Sequence, residues 1–130
     1  MDRKLEADAA GLFDELQKFG RVAVYEINFD TGKSTIRTDS TGVLNEVKKL
    51  LTEHKELHLM IEGHTDNVGK AATNKKLSDD RAASVKDWLV RAGVPAVNLS
   101  TSGFGDTKSL ADNSTEEGRA KNRRVELVKK

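Results

Sequence analysis

The densest group of polar side chains outside a helical pattern is Gly63-His64-Thr65-Asp66-Asn67-Val68-Gly69, and fifteen residues beyond Asp66 stands Arg81. A carboxylate and a guanidinium brought together can act in two ways. They can neutralise each other as an internal salt bridge that fixes the loop, since a buried arginine usually has a partner. They can also stand side by side as a clamp for a zwitterion, with Asp66 taking an ammonium and Arg81 taking a carboxylate through its planar fork. Spacing alone does not separate the two. His64 beside Asp66 suggests an acid–base dyad, yet no serine in a strained elbow accompanies it and the chain has no cysteine. Hydrolysis is therefore not expected, and His64 is read as holding the turn through local hydrogen bonds. His54 and His58 lie four apart but straddle a helix-to-strand junction without further ligands, so no metal is expected there.

Several elements must position these groups. Leu57-His58-Leu59-Met60-Ile61-Glu62 alternates weakly and ends at Gly63, which puts the polar loop at the carboxyl end of a strand, where α/β sheets favour ligands. Leu77, Val85, Trp88, Leu89 and Ala92 predict a long helix over 73–92, stopped by Gly93 with Pro95 behind it. Asn74, Leu77 or Ser78, Arg81, Val85 and Trp88 fall on one stripe of that helix, so Arg81 shares its semi-buried side. Upstream, Leu5, Ala9, Leu12, Phe13, Leu16 and Phe19 predict an amphipathic helix over 3–19 that stops at Gly20. Val22 to Phe29 is β-branched and aromatic and reads as a strand, followed by turn chemistry at Asp30-Thr31-Gly32-Lys33. Val43, Leu44, Val47, Leu50 and Leu51 predict a helix over about 41–53. Leu99–Ser102 is a short strand, Gly103 to Asn113 a loop, Ser114-Thr115-Glu116-Glu117 a helix start, and Arg124 to Val128 a final strand. The order α-β-α-β-α-β-α-β predicts an α/β two-layer sandwich, a mixed sheet covered on one face by helices. Residues 1–20 are expected to form an N-terminal helix or linker ahead of a domain over 21–130.

Composition narrows the function. The 130 residues suit one domain that can fold without disulfide or metal. With 22 Lys and Arg against 21 Asp and Glu, the net charge of +1 gives no electrostatic footprint for nucleic acid or an anionic membrane. The basic group Arg119, Lys121, Arg123, Arg124, Lys129 and Lys130 is interleaved with Glu116, Glu117 and Glu126, and 5% aromatic residues supply no stacking platform for single strands. No apolar run approaches the roughly 20 residues of a membrane span, so this segment is not expected to span a membrane itself. Its start lacks the apolar region of a signal peptide, and a start Met ahead of a charged helix is also what a segment of a longer precursor looks like.

Five blocks in order carry a resemblance: Gly63-His64-Thr65-Asp66; Asn74-x-x-Leu77-Ser78-x-x-Arg81-Ala82; Gly103-Phe104-Gly105; Ala111-Asp112-Asn113; and Thr115-x-Glu117-Gly118-Arg119-Ala120-x-Asn122-Arg123-Arg124-Val125-Glu126. From about Tyr25 to Leu127 the chain resembles the OmpA-like peptidoglycan-binding domain, the C-terminal module of outer-membrane porin-like proteins and of peptidoglycan-associated lipoproteins, with a relative in flagellar stators. The resemblance implies non-covalent binding of peptidoglycan through the free amino-acid end of meso-diaminopimelate in the stem peptide, with no bond made or broken and no cofactor. Asp66 and Arg81 match the family's ammonium- and carboxylate-binding pair, which favours the clamp. Asn74 matches a ligand-side amide. Thr65 and the Phe29-Asp30-Thr31 turn are expected at the rim, the turn through backbone groups, and Arg123 is a further candidate that could equally pair with a carboxylate or a carbonyl of the chain. The implied setting is the periplasm, with the full-length protein attached to the outer membrane and tethered to the wall, and a monomer is favoured. A clamp of a few charged contacts implies weak single-site binding, about 10 μM to 1 mM, with holding strength from many copies. The alternatives are a stator-type wall anchor, or a protein–protein module that uses the Leu5/Leu12/Phe19 face of the first helix.

Overall fold

The computed structural model describes residues 8–130. Among the described residues four α-helices and four strands alternate: α1 (Ala9–Phe19), β1 (Arg21–Val24), α2 (Thr41–Glu53), β2 (Leu59–His64), α3 (Ala71–Arg91), β3 (Leu99–Gly103), α4 (Glu116–Asn122) and β4 (Arg124–Lys129). The strands form one mixed sheet in the order β1-β4-β2-β3, antiparallel at β1/β4 and β4/β2 and parallel at β2/β3. Helices α1, α2 and α3 lie on one face of it. The expected two-layer α/β sandwich is the observed fold.

Local chemistry explains the elements. Asp8 caps α1 by accepting the Gly11 N–H, and Gly20 ends it with φ of 77°, a left-handed conformation that glycine takes without strain while its N–H bonds the Leu16 carbonyl. The first seven residues of the expected N-terminal segment, Leu5 included, lie outside the described residues. Ala9, Leu12 and Leu16 of α1 are buried in the same core as α2's Val43, Leu44, Val47, Leu50 and Leu51. Leu12 is thus spent on the interior, which removes it from the outward-facing partner surface considered above, while Phe19 is exposed.

The first strand is shorter than the expected Val22–Phe29. It ends at Val24, opposite Val125, one residue short of the start of β4 at Arg124, behind which the chain turns into helix α4. The backbone of Asn28 turns instead to Ser40 and Arg37: its N–H donates to Ser40 Oγ at 2.7 Å and its carbonyl accepts the Arg37 N–H at 2.9 Å. Phe29 and Ile36 form a lone bridge at the neck of the Asp30–Lys33 turn. Strand β2 runs two residues later than expected, since its pairing with β4 continues to His64↔Arg124.

Helix α3 buries Asn74, Ser78, Ala82, Val85 and Leu89 against β2 and β3. Its close approach is permitted by Gly63, where an added Cβ would collide with the Ser78 backbone carbonyl. Backbone on both sides leaves no side chain to swing away. Gly63→Ala is expected to cost about 1–3 kcal/mol, the range for overpacking a core, readable as a lower urea midpoint. An unchanged midpoint would show that α3 can lift off the sheet at no cost.

Candidate functional site

The carboxyl end of β2 delivers Thr65 and Asp66 into a groove of about 870 Å³. This falls within the roughly 300–1,000 Å³ of small-ligand sites, and it is larger than a single amino acid requires. The loop is held from three sides. The Thr65 N–H donates to the Gly105 carbonyl at 2.8 Å, and the Thr65 hydroxyl donates to the Asp66 carbonyl. Asp66 Oδ1 accepts the Val68 N–H at 3.0 Å, an Asx turn that fixes the carboxylate's direction. Asn74, buried on α3, donates its amide to the Val68 carbonyl at 3.0 Å and reaches that of Asp66 at 3.4 Å. Helix and sheet are stitched together nearby, where Ser78 Oγ accepts the Gly105 N–H and Asp79 accepts the Gly103 N–H.

Arg81 follows Asn74 by seven residues, on the same face of α3. Its Nε donates to the Lys33 carbonyl at 2.8 Å, Nη2 reaches the Asp30 carbonyl at 3.4 Å, and the guanidinium carbon lies 4.8 Å from the centre of the Phe29 ring. The turn after β1 is therefore the seat of Arg81. Phe29 supplies a ring face, while Asp30 contributes backbone and points its half-exposed carboxylate toward Arg37, 3.8 Å away. Thr31 is exposed and lines the groove with Phe29. Among the described residues no carboxylate lies within 4.0 Å of Arg81. Burial pushes its pKa down and repulsion from Arg123 adds to this, with Asp66 pulling the other way. The internal Asp66–Arg81 salt bridge, one of the two readings of the spacing, is not formed.

Asp66 pairs instead with Arg123. Nη1 of Arg123 lies 2.7 Å from Asp66 Oδ2, and its Nη2 lies 2.6 Å from Glu116 Oε2. These two acids hold the Arg123 guanidinium protonated, raising its pKa. All the expected site residues are thus brought to one groove or its rim, but the guanidinium on Asp66 belongs to β4's approach rather than to α3. Tyr25, Glu116, Arg119 and Arg124 also line the groove and were not among the expected site residues. Glu116 was legible as a helix-start acid and as one of the acids interleaved with the basic group, but not as a partner of the site. Tyr25, whose hydroxyl donates to the Lys121 carbonyl at 3.0 Å, carries no sequence signal.

On the sheet face away from the helices lies a second polar cluster, also unanticipated. Glu62, His64, Arg124 and Glu126 are all at most 5% exposed. His64 Nε2 is 3.0 Å from Glu62 Oε1, its ring stacks on Phe104, and its Nδ1 has no partner among the described residues. Burial lowers the His64 pKa more than the hydrogen bond to Glu62 raises it, so the ring is neutral. Glu62, His64 and Glu126 place one ligand atom each within 4.8 Å of one another. The positive charge among them comes from arginine: Arg21 Nη1 lies 3.2 Å from Glu62 and 2.6 Å from Glu126, and Arg124 pairs with Glu126 on its other oxygen.

Comparison with known proteins places this architecture. The model of the OmpA family matches residues 28–123. The outer membrane porin F of Pseudomonas fluorescens is 39% identical over 101 residues, covering 78% of this chain and 31% of the porin. The chain thus spans under a third of the length of that relative. The solved peptidoglycan-associated lipoprotein of Burkholderia pseudomallei superposes with a TM-score of 0.71 at 26% identity, covering 87% of this chain and 92% of the lipoprotein. The cell wall anchor of the T6SS from Pseudomonas aeruginosa does so with a TM-score of 0.72 at 27% identity, covering 92% and 93%.

Proposed function

This chain belongs to the OmpA family, and from that premise we propose that it is a non-enzymatic module that binds peptidoglycan through the meso-diaminopimelate of the stem peptide, tethering an outer-membrane protein or lipoprotein to the cell wall from the periplasm. Two structural neighbours, a peptidoglycan-associated lipoprotein and a cell wall anchor, support the wall-binding part. The finer part rests on one observation: Arg81 is a half-buried guanidinium seated on carbonyls and a ring, with no described acid against it, in the same groove as the buried carboxylate of Asp66.

The free end of diaminopimelate carries an ammonium and a carboxylate on one carbon. A carboxylate satisfies Arg81 through a charge-assisted fork while the ammonium is drawn to Asp66. A stem peptide carrying lysine at that position brings the ammonium alone and leaves Arg81 uncompensated. That omission is worth on the order of 2–3 kcal/mol by the cost of an unpaired charged group.

The test is a titration with two stem tetrapeptides that differ only in diaminopimelate or lysine at the third position, followed by NMR. Saturable shifts centred on Thr65, Asp66, Asn74 and Arg81 are expected for the first and much weaker ones for the second. Equal responses, or none, would overturn the clamp. Prolonged incubation with intact peptidoglycan sacculi is expected to release no soluble fragments, and their appearance would overturn the non-enzymatic reading.

A further inference from the structure

The clamp just described has a built-in occupant on its acidic side. Asp66 Oδ1 is committed to the Val68 N–H, and Oδ2 takes Nη1 of Arg123 at 2.7 Å, so the position an ammonium would seek already faces a cation. We propose that Arg123 is an autoinhibitory strap across the groove: a ligand ammonium must displace it from Asp66, and Glu116 is the acceptor on which the displaced guanidinium stays. The inference rests on the zwitterion-clamp reading of the same groove.

The geometry of the strap is asymmetric. Its inner anchor, Asp66, is buried, with a side chain 12% exposed and fixed by the Asx turn. Its outer anchor, Glu116, has a side chain 66% exposed, bonds Nη2 at 2.6 Å and also accepts Nε of Arg119 at 3.2 Å. Release of Nη1 therefore breaks one contact and keeps the other. A guanidinium that leaves the inner acid remains paired in a solvated place rather than stranded. Arg123, 57 residues beyond Asp66 in sequence, ties the loop after β2 to Glu116 at the start of α4, and both acids line the groove. It also holds a second positive charge near Arg81, and moving Nη1 outward relieves that repulsion as the ligand enters.

A competitor inside the site lowers apparent affinity by the fraction of molecules in which it is in place. Because the Arg123 side of the inner pair is 40% exposed and solvent screens it, removing the strap in Arg123→Ala is expected to tighten binding of the diaminopimelate tetrapeptide by only about two- to fivefold. Glu116→Gln leaves the displaced guanidinium without an acid, while Asp66 still pairs it in the resting position, and is expected to weaken binding about twofold on the same scale. In the Arg123→Ala background the Glu116 change is expected to do nothing, because Glu116 acts only through the strap.

The experiment has two arms on the full chain. Without peptide, the Arg123 Nη resonances in ¹⁵N spectra are expected to show slowed rotation that Asp66→Asn speeds up. Freely averaged Nη signals in the unchanged protein would overturn the strap whatever the ligand. With the diaminopimelate tetrapeptide, the four proteins of the Arg123/Glu116 cycle are titrated. Binding that Arg123→Ala leaves equal or weakens would overturn displacement alone, making Arg123 a bystander or a ligand contact. Failure of every protein in the cycle to bind would overturn the clamp reading, and displacement with it, even with slowed Nη rotation.

Discussion

Arg81→Ala is expected to abolish retention of the protein on peptidoglycan sacculi while leaving its circular dichroism spectrum native. The guanidinium makes no described ion pair, and its bonds go to the carbonyls of Lys33 and Asp30 and to the face of Phe29. Its removal costs the fold two side chain-to-backbone bonds in a surface turn. Its removal costs the complex the charge-assisted fork to the ligand carboxylate, about 2–3 kcal/mol, or roughly 30- to 150-fold in Kd. Single-site binding that starts in the range of about 10 μM to 1 mM is thereby pushed to where a pull-down sees nothing. Arg81→Lys keeps a charge but loses the planar fork, and its binding is expected to fall between the two. Asp66→Asn is the matching change on the acidic side, since the amide oxygen can still accept the Val68 N–H and preserve the turn. It too is expected to lose retention. If Arg81→Ala unfolds the protein, the residue is a structural tie between α3 and the turn after β1. If it folds and still binds the wall, another group takes the carboxylate.

The parts of this site that could be read from sequence are those carried by one element or by adjacent ones. Asn74, Ser78 and Arg81 lie on one face of a single helix, and Thr65-Asp66 directly follows a single strand, so local pattern alone predicts where each group sits. Val43, Leu44, Val47, Leu50 and Leu51 likewise trace one face of α2, all buried. The partner of Asp66 was not legible in this way. Four arginines, 81, 119, 123 and 124, line the groove, and the choice among them is made by strand register. Pairing of His64 with Arg124 sets Arg123 just beyond the ladder, opposite the loop that carries Asp66. That register comes from the burial of alternate residues on both strands rather than from any local signal. The same long-range choice shortens β1, whose β-branched run continues past the end of its partner. It also buries Glu62, His64 and Glu126, which sit at every second position of strands whose other face is core. Such alternation ordinarily marks a solvated face.

That second face carries the largest expected loss of stability. Arg124 is 5% exposed; it pairs with Glu126, and its remaining donors go to the carbonyls of Asn122 at 3.1 Å and Lys108 at 2.9 Å. Arg124→Met keeps much of the volume and removes every one of these bonds. Breaking a buried pair from one side strands the other charge, and the expected cost is about 3–5 kcal/mol at neutral pH. The pH dependence separates an electrostatic cause from a packing one. In the unchanged protein burial favours the neutral Glu126 carboxyl, but the hydrogen bonds from Arg124 and Arg21 outweigh it and hold the pKa below its ordinary 4.5. His64 is held below its ordinary 6.5 chiefly by burial, with the charge of Arg124 adding a smaller push in the same direction. Both groups bind protons more readily in the unfolded chain, so both contribute stability at neutral pH that is lost as pH falls, first below 6.5 and then below 4.5. Without Arg124, burial of Glu126 is opposed by Arg21 alone and the His64 ring is freer to take a proton, so acid costs the variant less. Urea unfolding at pH 7 and again near pH 4.5 is therefore expected to show a large gap between the two proteins that narrows in acid. A gap of the same size at both values would mean that Arg124 acts through its packing and its carbonyl contacts rather than as the counter-charge of Glu126.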